Sequence, residues 1–387
     1  MVAPDRRPPE PPFPASLLRD KQVVVCCGAG GVGKTTTAAA LGLAAAATGR
    51  RVLVLTIDPA RRLAEAMGIP ASGPLPARVP AAKLAEGNIK GTLDAWMLDP
   101  KVVFEQMVRR LAESEEKANT ILQNRIYRTL SELVAGMQEY TAAEALYTFV
   151  ESGKYDLVVL DTPPSRNALE FLEAPRKLSL FLDEKIIGVF LPSGVGTGGG
   201  LFWRNARQLA SSVLGRVFGE GFFEEIQGFL GAFSGMFTAM RSHSEAVRKL
   251  LLSDKSSFVV VTSPDRSAMA ESEYLDAKLK EMGLPFAGYV LNRSWAYTRG
   301  LKHPHDAGII ATPGTIEHMV VEKLARLADD ELKLAQRDRE LLGRLRERGG
   351  AAVATPQLDA AIEDFAGLLY LAESLASPSP AEDPVRT

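Results

Sequence analysis

The stretch Val23–Thr37, Val-Val-Val-Cys-Cys-Gly-Ala-Gly-Gly-Val-Gly-Lys-Thr-Thr-Thr, limits what this chain can fold into more than any other segment. A β-branched run breaks into Gly28, Gly30, Gly31 and Gly33, and an alanine-rich helix former follows Lys34 and Thr35. Gly28 to Thr35 satisfies G-x-x-x-x-G-K-[ST], the strand–loop–helix pattern of a phosphate-binding P-loop. Glycines let backbone N–H groups turn inward around phosphate oxygens, and the helix N-terminus adds partial positive charge. Lys34 is placed to reach the β- and γ-phosphates, and the Thr35 hydroxyl to hold Mg2+. The expected ligand is a nucleoside triphosphate.

Such a loop needs an α/β framework, and 387 residues suffice for one large domain or two smaller ones. A net charge of −2 gives no basic field for nucleic acid or an anionic membrane surface. No uninterrupted apolar run is long enough to span a bilayer, so stable membrane insertion is not expected. The two cysteines, Cys26 and Cys27, are adjacent on a strand and point to opposite faces, unsuited to a shared metal or a disulfide. They read as small buried strand residues, and the chain as cytoplasmic. Residues 1–20, proline-rich, and 376–387 are expected to be disordered tails around a single domain over 21–375.

Taken in order, the chain alternates strands and helices as a parallel sheet requires. Thr35–Thr48 reads as a helix ended by Gly49, and Val52–Ile57 as a buried strand ending at Asp58-Pro59-Ala60. Asp58 therefore stands where open α/β sheets bind ligands. Pro70 to about Ala82 reads as a low-complexity loop, Gly91–Leu98 as a strand, and Val102–Glu151 as helical. Leu157–Leu160 followed by Asp161 is a Walker B pattern, which sets a carboxylate near the Mg2+ of the P-loop. Further strands are read at Phe258–Thr262 and Ala287–Leu291, and further helices at Ser267–Met282 and Thr315–Glu347. Val353 leads through Pro356 to a last helix ending near Leu375.

With these segments together, the chain resembles the arsenite-pump and tail-anchored-protein-targeting ATPases, a branch of the deviant-Walker P-loop NTPases. The matching segments are Gly28–Thr36, Asp58-Pro59-Ala60 (switch I), Asp161-Thr162-Pro163-Pro164-Ser165 (switch II), Gly136-Met137-Gln138-Glu139, Val290-Leu291-Asn292-Arg293 and Thr355-Pro356-Gln357-Leu358. Its Cys-Cys-Gly-x-Gly-Gly-Val-Gly-Lys loop is closest to bacterial members of actinobacterial type. The resemblance implies a mainly parallel, doubly wound sheet with an inserted α-helical subdomain, in segments about 100–150 and 183–250. It implies that Asp58 polarises the attacking water, that Lys34 and Thr36 bind phosphate, and that Thr35 and Asp161 organise Mg2+. It assigns Asn292 to the adenine and the loop at Pro356 to packing on the base.

Two departures stand out. The family's loop carries a lysine that reaches across a dimer to the partner's nucleotide, and here that position is Ala29. Three explanations stay open: a homodimer drawing on another cation, with Arg61, Arg62 and Arg166 as candidates; a heterodimer with a lysine-bearing related subunit; or a slow, nucleotide-gated regulatory or scaffold subunit. The chain also lacks the Cys-x-x-Cys zinc clamp of the targeting members, the metalloid cysteines of the arsenite pump and the cluster cysteines of related reductases. Finally, residues 201–240 are rich in Phe, Leu, Met and Gly and poor in charge. They fit either a groove for a client's hydrophobic helix, as the resemblance implies, or the core of the helical subdomain.

Overall fold

The structure, a computed structural model, describes residues 13–57, 61–71, 73–124, 137–163, 236, 239–240, 242–297, 303–358, 362 and 364–376, with backbone alone at 61–62, 137–140 and 297. Its first half runs α1 (Ala15–Asp20), β1 (Val23–Gly28), α2 (Lys34–Ala47), β2 (Arg51–Thr56), α3 (Arg61–Met67), β3 (Ala77–Arg78), α4 (Ala81–Glu86) and β4 (Thr92–Met97). Then come α5 (Pro100–Leu111), α6 (Glu115–Gln123), α7 (Met137–Glu151), β5 (Leu157–Asp161) and a helical stretch over 242–252, α8. The last part holds β6 (Ser256–Thr262), α9 (Arg266–Glu281), β7 (Phe286–Ser294), α10 (Ile316–Glu347), β8 (Ala351–Pro356) and α11 (Phe365–Ala376).

The strands form one eight-stranded sheet in the order β3-β4-β2-β5-β1-β6-β7-β8. Every pairing is parallel except β3 with β4. The expected α/β architecture with a mainly parallel sheet is therefore observed. The central strands are apolar along their whole length because helices cover both faces. On one face Val24, Cys26, Val54, Val159 and Val261 pack with Leu41 of α2 and Leu368 of α11. On the other, Val25, Cys27, Leu55, Leu160 and Val260 pack with Leu146 of α7, Leu275 of α9 and Leu345 of α10. Cys26 and Cys27 thus fall on opposite faces, as strand alternation requires.

Helix ends follow local chemistry. Asp99 caps α5 by accepting from the N–H groups of Lys101 and Val102, with Pro100 in the first turn. Asp265 caps α9 in the same way through Ser267 and Ala268. Gly49, at φ 95°, takes the left-handed torsion that ends α2.

Three expectations need correction. The N-terminal tail was expected to run to residue 20, yet α1 occupies Ala15–Asp20 with Leu17 and Leu18 buried against the α2 face. The low-complexity loop contains the short strand β3 and passes into α4, because Arg78 finds a buried carboxylate, Asp94, on β4. The Val353 segment leads through Pro356 to the last helix as expected, but it does so as an unforeseen edge strand, β8, paired with β7. Most of the 183–250 segment and all of 201–235 lie outside the described residues.

Candidate functional site

Strand parity places the predicted polar residues on one face. Val54, Val159, Val290 and Val353 all point to the α2 face. Two residues further along each strand, Thr56, Asp161, Asn292 and Thr355 must point the same way. They stand at the C-terminal ends of β2, β5, β7 and β8, where the loop after β1 also lies. This is the edge at which open α/β sheets bind ligands.

The loop itself is tightly held. Gly28 ends β1 so close to β6 that a Cβ there would lie 2.2 Å from the Val261 carbonyl oxygen. Gly33, at φ 88°, caps α2 in the left-handed region that glycine tolerates without strain. Lys34 opens α2 and is buried, with its Nζ donating to the Ala29 carbonyl at 2.8 Å. Gly30 and Gly31 form the exposed turn of the loop, and Thr36 follows on α2. Ala29, which the sequence reading sets against an expected cross-dimer lysine, is itself buried.

Beside the loop, the Asp161 carboxylate oxygen Oδ2 accepts from the hydroxyls of Thr35 and of Thr56, the latter at 2.8 Å. Register explains the meeting: Asp161 aligns with Cys26 on β1 and with Thr56 on β2. Asp161 is buried, and the donor set is oxygen only: one carboxylate and two hydroxyls. That set fits Mg2+, which takes one or two carboxylates and leaves its other positions to phosphate oxygens and water. Among the described residues no group of three His, Cys, Asp or Glu side chains is arranged to hold a metal by itself.

Across β1 and β6, the Asn292 amide Nδ2 donates to the Val32 carbonyl of the loop at 2.7 Å. Its Oδ1 accepts from the Thr355 hydroxyl at 2.6 Å. The asparagine expected on the adenine side is thus in direct contact with the glycine loop. Pro356 closes β8 opposite Ser294, and the Gln357 N–H donates to the Ser294 carbonyl at 3.0 Å. Asp58 and Arg166 lie outside the described residues, and of Arg61 and Arg62 only the backbone is described.

Sequence reading missed Thr56, Thr355 and Asp338. The first two were discoverable as polar residues ending β-branched or small-residue runs with the parity of Asp161. Asp338, fully buried on α10, accepts from the Trp295 N–H at 2.8 Å and from the Ser294 hydroxyl at 3.2 Å. Nothing local marks it among the many charges of that helix.

The buried thiols are unreactive by position. Burial pushes the Cys27 thiol up to about 12, and burial together with the Asp161 charge raises Cys26 well above the ordinary thiol range.

Comparison with known proteins points the same way as the geometry. The family model described as "Anion-transporting ATPase" matches residues 21–192, which span β1, the glycine loop and Asp161. A relative from Malassezia globosa, "ATPase GET3", is 24% identical over 73% of this chain and 76% of its own length. "ATPase ASNA1 homolog 1" from Paramecium tetraurelia is 24% identical over 69% of this chain and 73% of its own length. "ATPase ARSA2" from Chlamydomonas reinhardtii is 28% identical over 69% of this chain and 66% of its own length. With a glycine loop, a buried carboxylate suited to Mg2+ and a mainly parallel sheet in the matched region, the chain is similar there to the anion-transporting ATPases and to these GET3- and ARSA-named relatives.

Proposed function

We propose that the chain binds Mg2+–ATP at Gly28–Thr36 and hydrolyses it to ADP, as one subunit of a dimer that uses its nucleotide state to move a helical subdomain. The observation that carries this reading is the Thr35–Asp161–Thr56 hydrogen-bonded cluster beside the glycine loop, since those oxygens have no evident structural need to meet at a strand end. Loop N–H groups and Lys34 receive the phosphates, Lys34 exchanging its bond to the Ala29 carbonyl for a phosphate oxygen. Thr35 and Asp161 would hold Mg2+, which would supply positive charge to offset that of the phosphates. Thr56 keeps the Asp161 carboxylate oriented, and Asp58 polarises the attacking water. Asn292 and the Pro356 segment face the base.

The link to a partner runs through elements rooted at this edge. α5 leaves the end of β4, while α7 leads into β5, whose last residue is Asp161. In this reading segments about 100–150 and 183–250 belong to the moving subdomain, and the apolar stretch 201–240 serves either as its core and dimer contact or as a groove for a hydrophobic helix of a protein client. Client capture that is indifferent to Phe229→Asp and Phe233→Asp would argue against that receiving role. The Cys-Cys-Gly loop supports reading the chain as an actinobacterial-type member, and with one glycine loop per chain the second nucleotide belongs to a second subunit, identical or lysine-bearing.

Ala29 supports a second reading, a catalytically weak nucleotide-binding regulatory or scaffold subunit of a hetero-oligomer. Steady-state hydrolysis by the purified chain decides between them. Turnover abolished by Lys34→Ala supports the ATPase; no Lys34-dependent turnover, with or without Ala29→Lys, sinks it for the isolated chain. The stoichiometry of the native complex then shows whether a lysine-bearing subunit is present.

A further inference from the structure

We infer that Thr355 and Asn292 form a positioning lock that fixes the orientation of the Val32–Gly33 peptide, and through it the polyphosphate affinity of the loop. The inference rests on the nucleotide reading above and adds an agent to it that lies on the far strand of the sheet.

A phosphate loop works only if its N–H groups, and not its carbonyls, face the anion. In a trans peptide the C=O of one residue and the N–H of the next point in opposite directions. Whatever holds the Val32 carbonyl therefore also aims the Gly33 N–H. Gly33 lies at φ 88°, and glycine has little steric preference of its own, so rotation of this peptide is not prevented locally. It is prevented from outside, because Asn292 Nδ2 donates to the Val32 carbonyl at 2.7 Å and draws it toward β7. The contact is close: a Cβ on Gly33 would lie 2.2 Å from that nitrogen.

The amide needs a support of its own. The Val32 carbonyl can only accept, so the amide must present Nδ2 to the loop, which turns Oδ1 toward β8. There Oδ1 would be buried, and the Thr355 hydroxyl supplies its donor at 2.6 Å. Asn292 and Thr355 are both buried, so water is not a ready substitute. Removing the hydroxyl leaves the amide carbonyl short of a partner, a cost large enough to release its hold on the loop. The lock spans three strand boundaries, β1–β6, β6–β7 and β7–β8.

The test separates this role from base recognition by using a ligand without a base. Dissociation constants of Mg2+–tripolyphosphate and Mg2+–ATP are measured by calorimetry on the full chain for wild type, Thr355→Val and Thr355→Ser, with thermal unfolding followed in parallel. Thr355→Val is expected to weaken both ligands by about tenfold, and Thr355→Ser to remain within about twofold of wild type. Thr355→Ala replaces the valine variant if that chain does not fold. Unchanged tripolyphosphate affinity in Thr355→Val would overturn the lock, as would a loss confined to ATP or a serine variant as weak as the valine one. A wild-type chain that binds neither ligand would remove the nucleotide reading and the lock together. A wild-type chain that binds both, matched by its valine variant, removes the lock alone.

Discussion

At the scale of single residues, Gly33 concentrates two demands on one position. It takes a left-handed torsion at the start of α2, and a Cβ there would collide with the Asn292 amide. Gly33→Ala adds backbone strain of about 1–3 kcal/mol and displaces Asn292, so Mg2+–ATP affinity is expected to fall at least about tenfold in a binding titration. The cysteines make the opposite kind of statement. Both thiols are buried and their ionisation is pushed upward, so neither should react with a thiol reagent in the native protein. Counting free thiols before and after denaturation checks this, and fast native labelling would show that β1 opens.

At the scale of elements, α10 is joined to the site's outer wall by a carboxylate. Asp338 is buried and bonded to the Trp295 N–H, the Ser294 hydroxyl and the Arg337 guanidinium, holding the chain that leaves β7 just beyond Asn292. Asp338→Ala leaves those donors short of a partner inside the fold, and a loss of roughly 3 kcal/mol is expected in urea denaturation. A change below about 1 kcal/mol would mean that water replaces the carboxylate. Such bonds explain why β7 was legible in sequence while its connections were not. The apolar run of β7 identifies a strand, but the residue that secures its end lies 43 positions away. β8 was missed for a different reason: Ala-Ala-Val-Ala-Thr has small side chains and weak β preference, and it is a strand because β7 offers an edge to pair with.

At the scale of the whole molecule, Arg50 ties the N-terminal helix to the sheet. Its guanidinium donates to the carbonyls of Leu18, Lys21 and Asp156, joining α1, the chain entering β1 and the chain entering β5. Arg50→Met is expected to cost about 2 kcal/mol and to expose the α1 region to limited proteolysis, read by the melting temperature and the position of the first cuts. Persistence of the wild-type cutting pattern would show that Leu17 and Leu18 anchor α1 unaided. The same contact accounts for the misplaced boundary of the N-terminal tail, since proline-rich composition extends up to Pro14 while the docking site is made by residues from elsewhere in the chain.

The sequence by itself determined the glycine loop, the acidic strand end at Asp161 and the strand parity that sets Asp161 two residues beyond Val159 and Asn292 two beyond Val290. Each of these follows from neighbours in the chain: glycine torsions, helix capping and the two-residue period of a strand. Only the tertiary structure decided which strand ends stand beside the loop. The sheet places β5 and β6 on either side of β1, and brings Asn292 to Val32 across 260 residues of chain. Strand order is chosen by the burial of both sheet faces and by hydrogen bonds between distant segments, quantities that no local pattern carries. That is why the loop was readable at once, and the residues that hold it in shape were not.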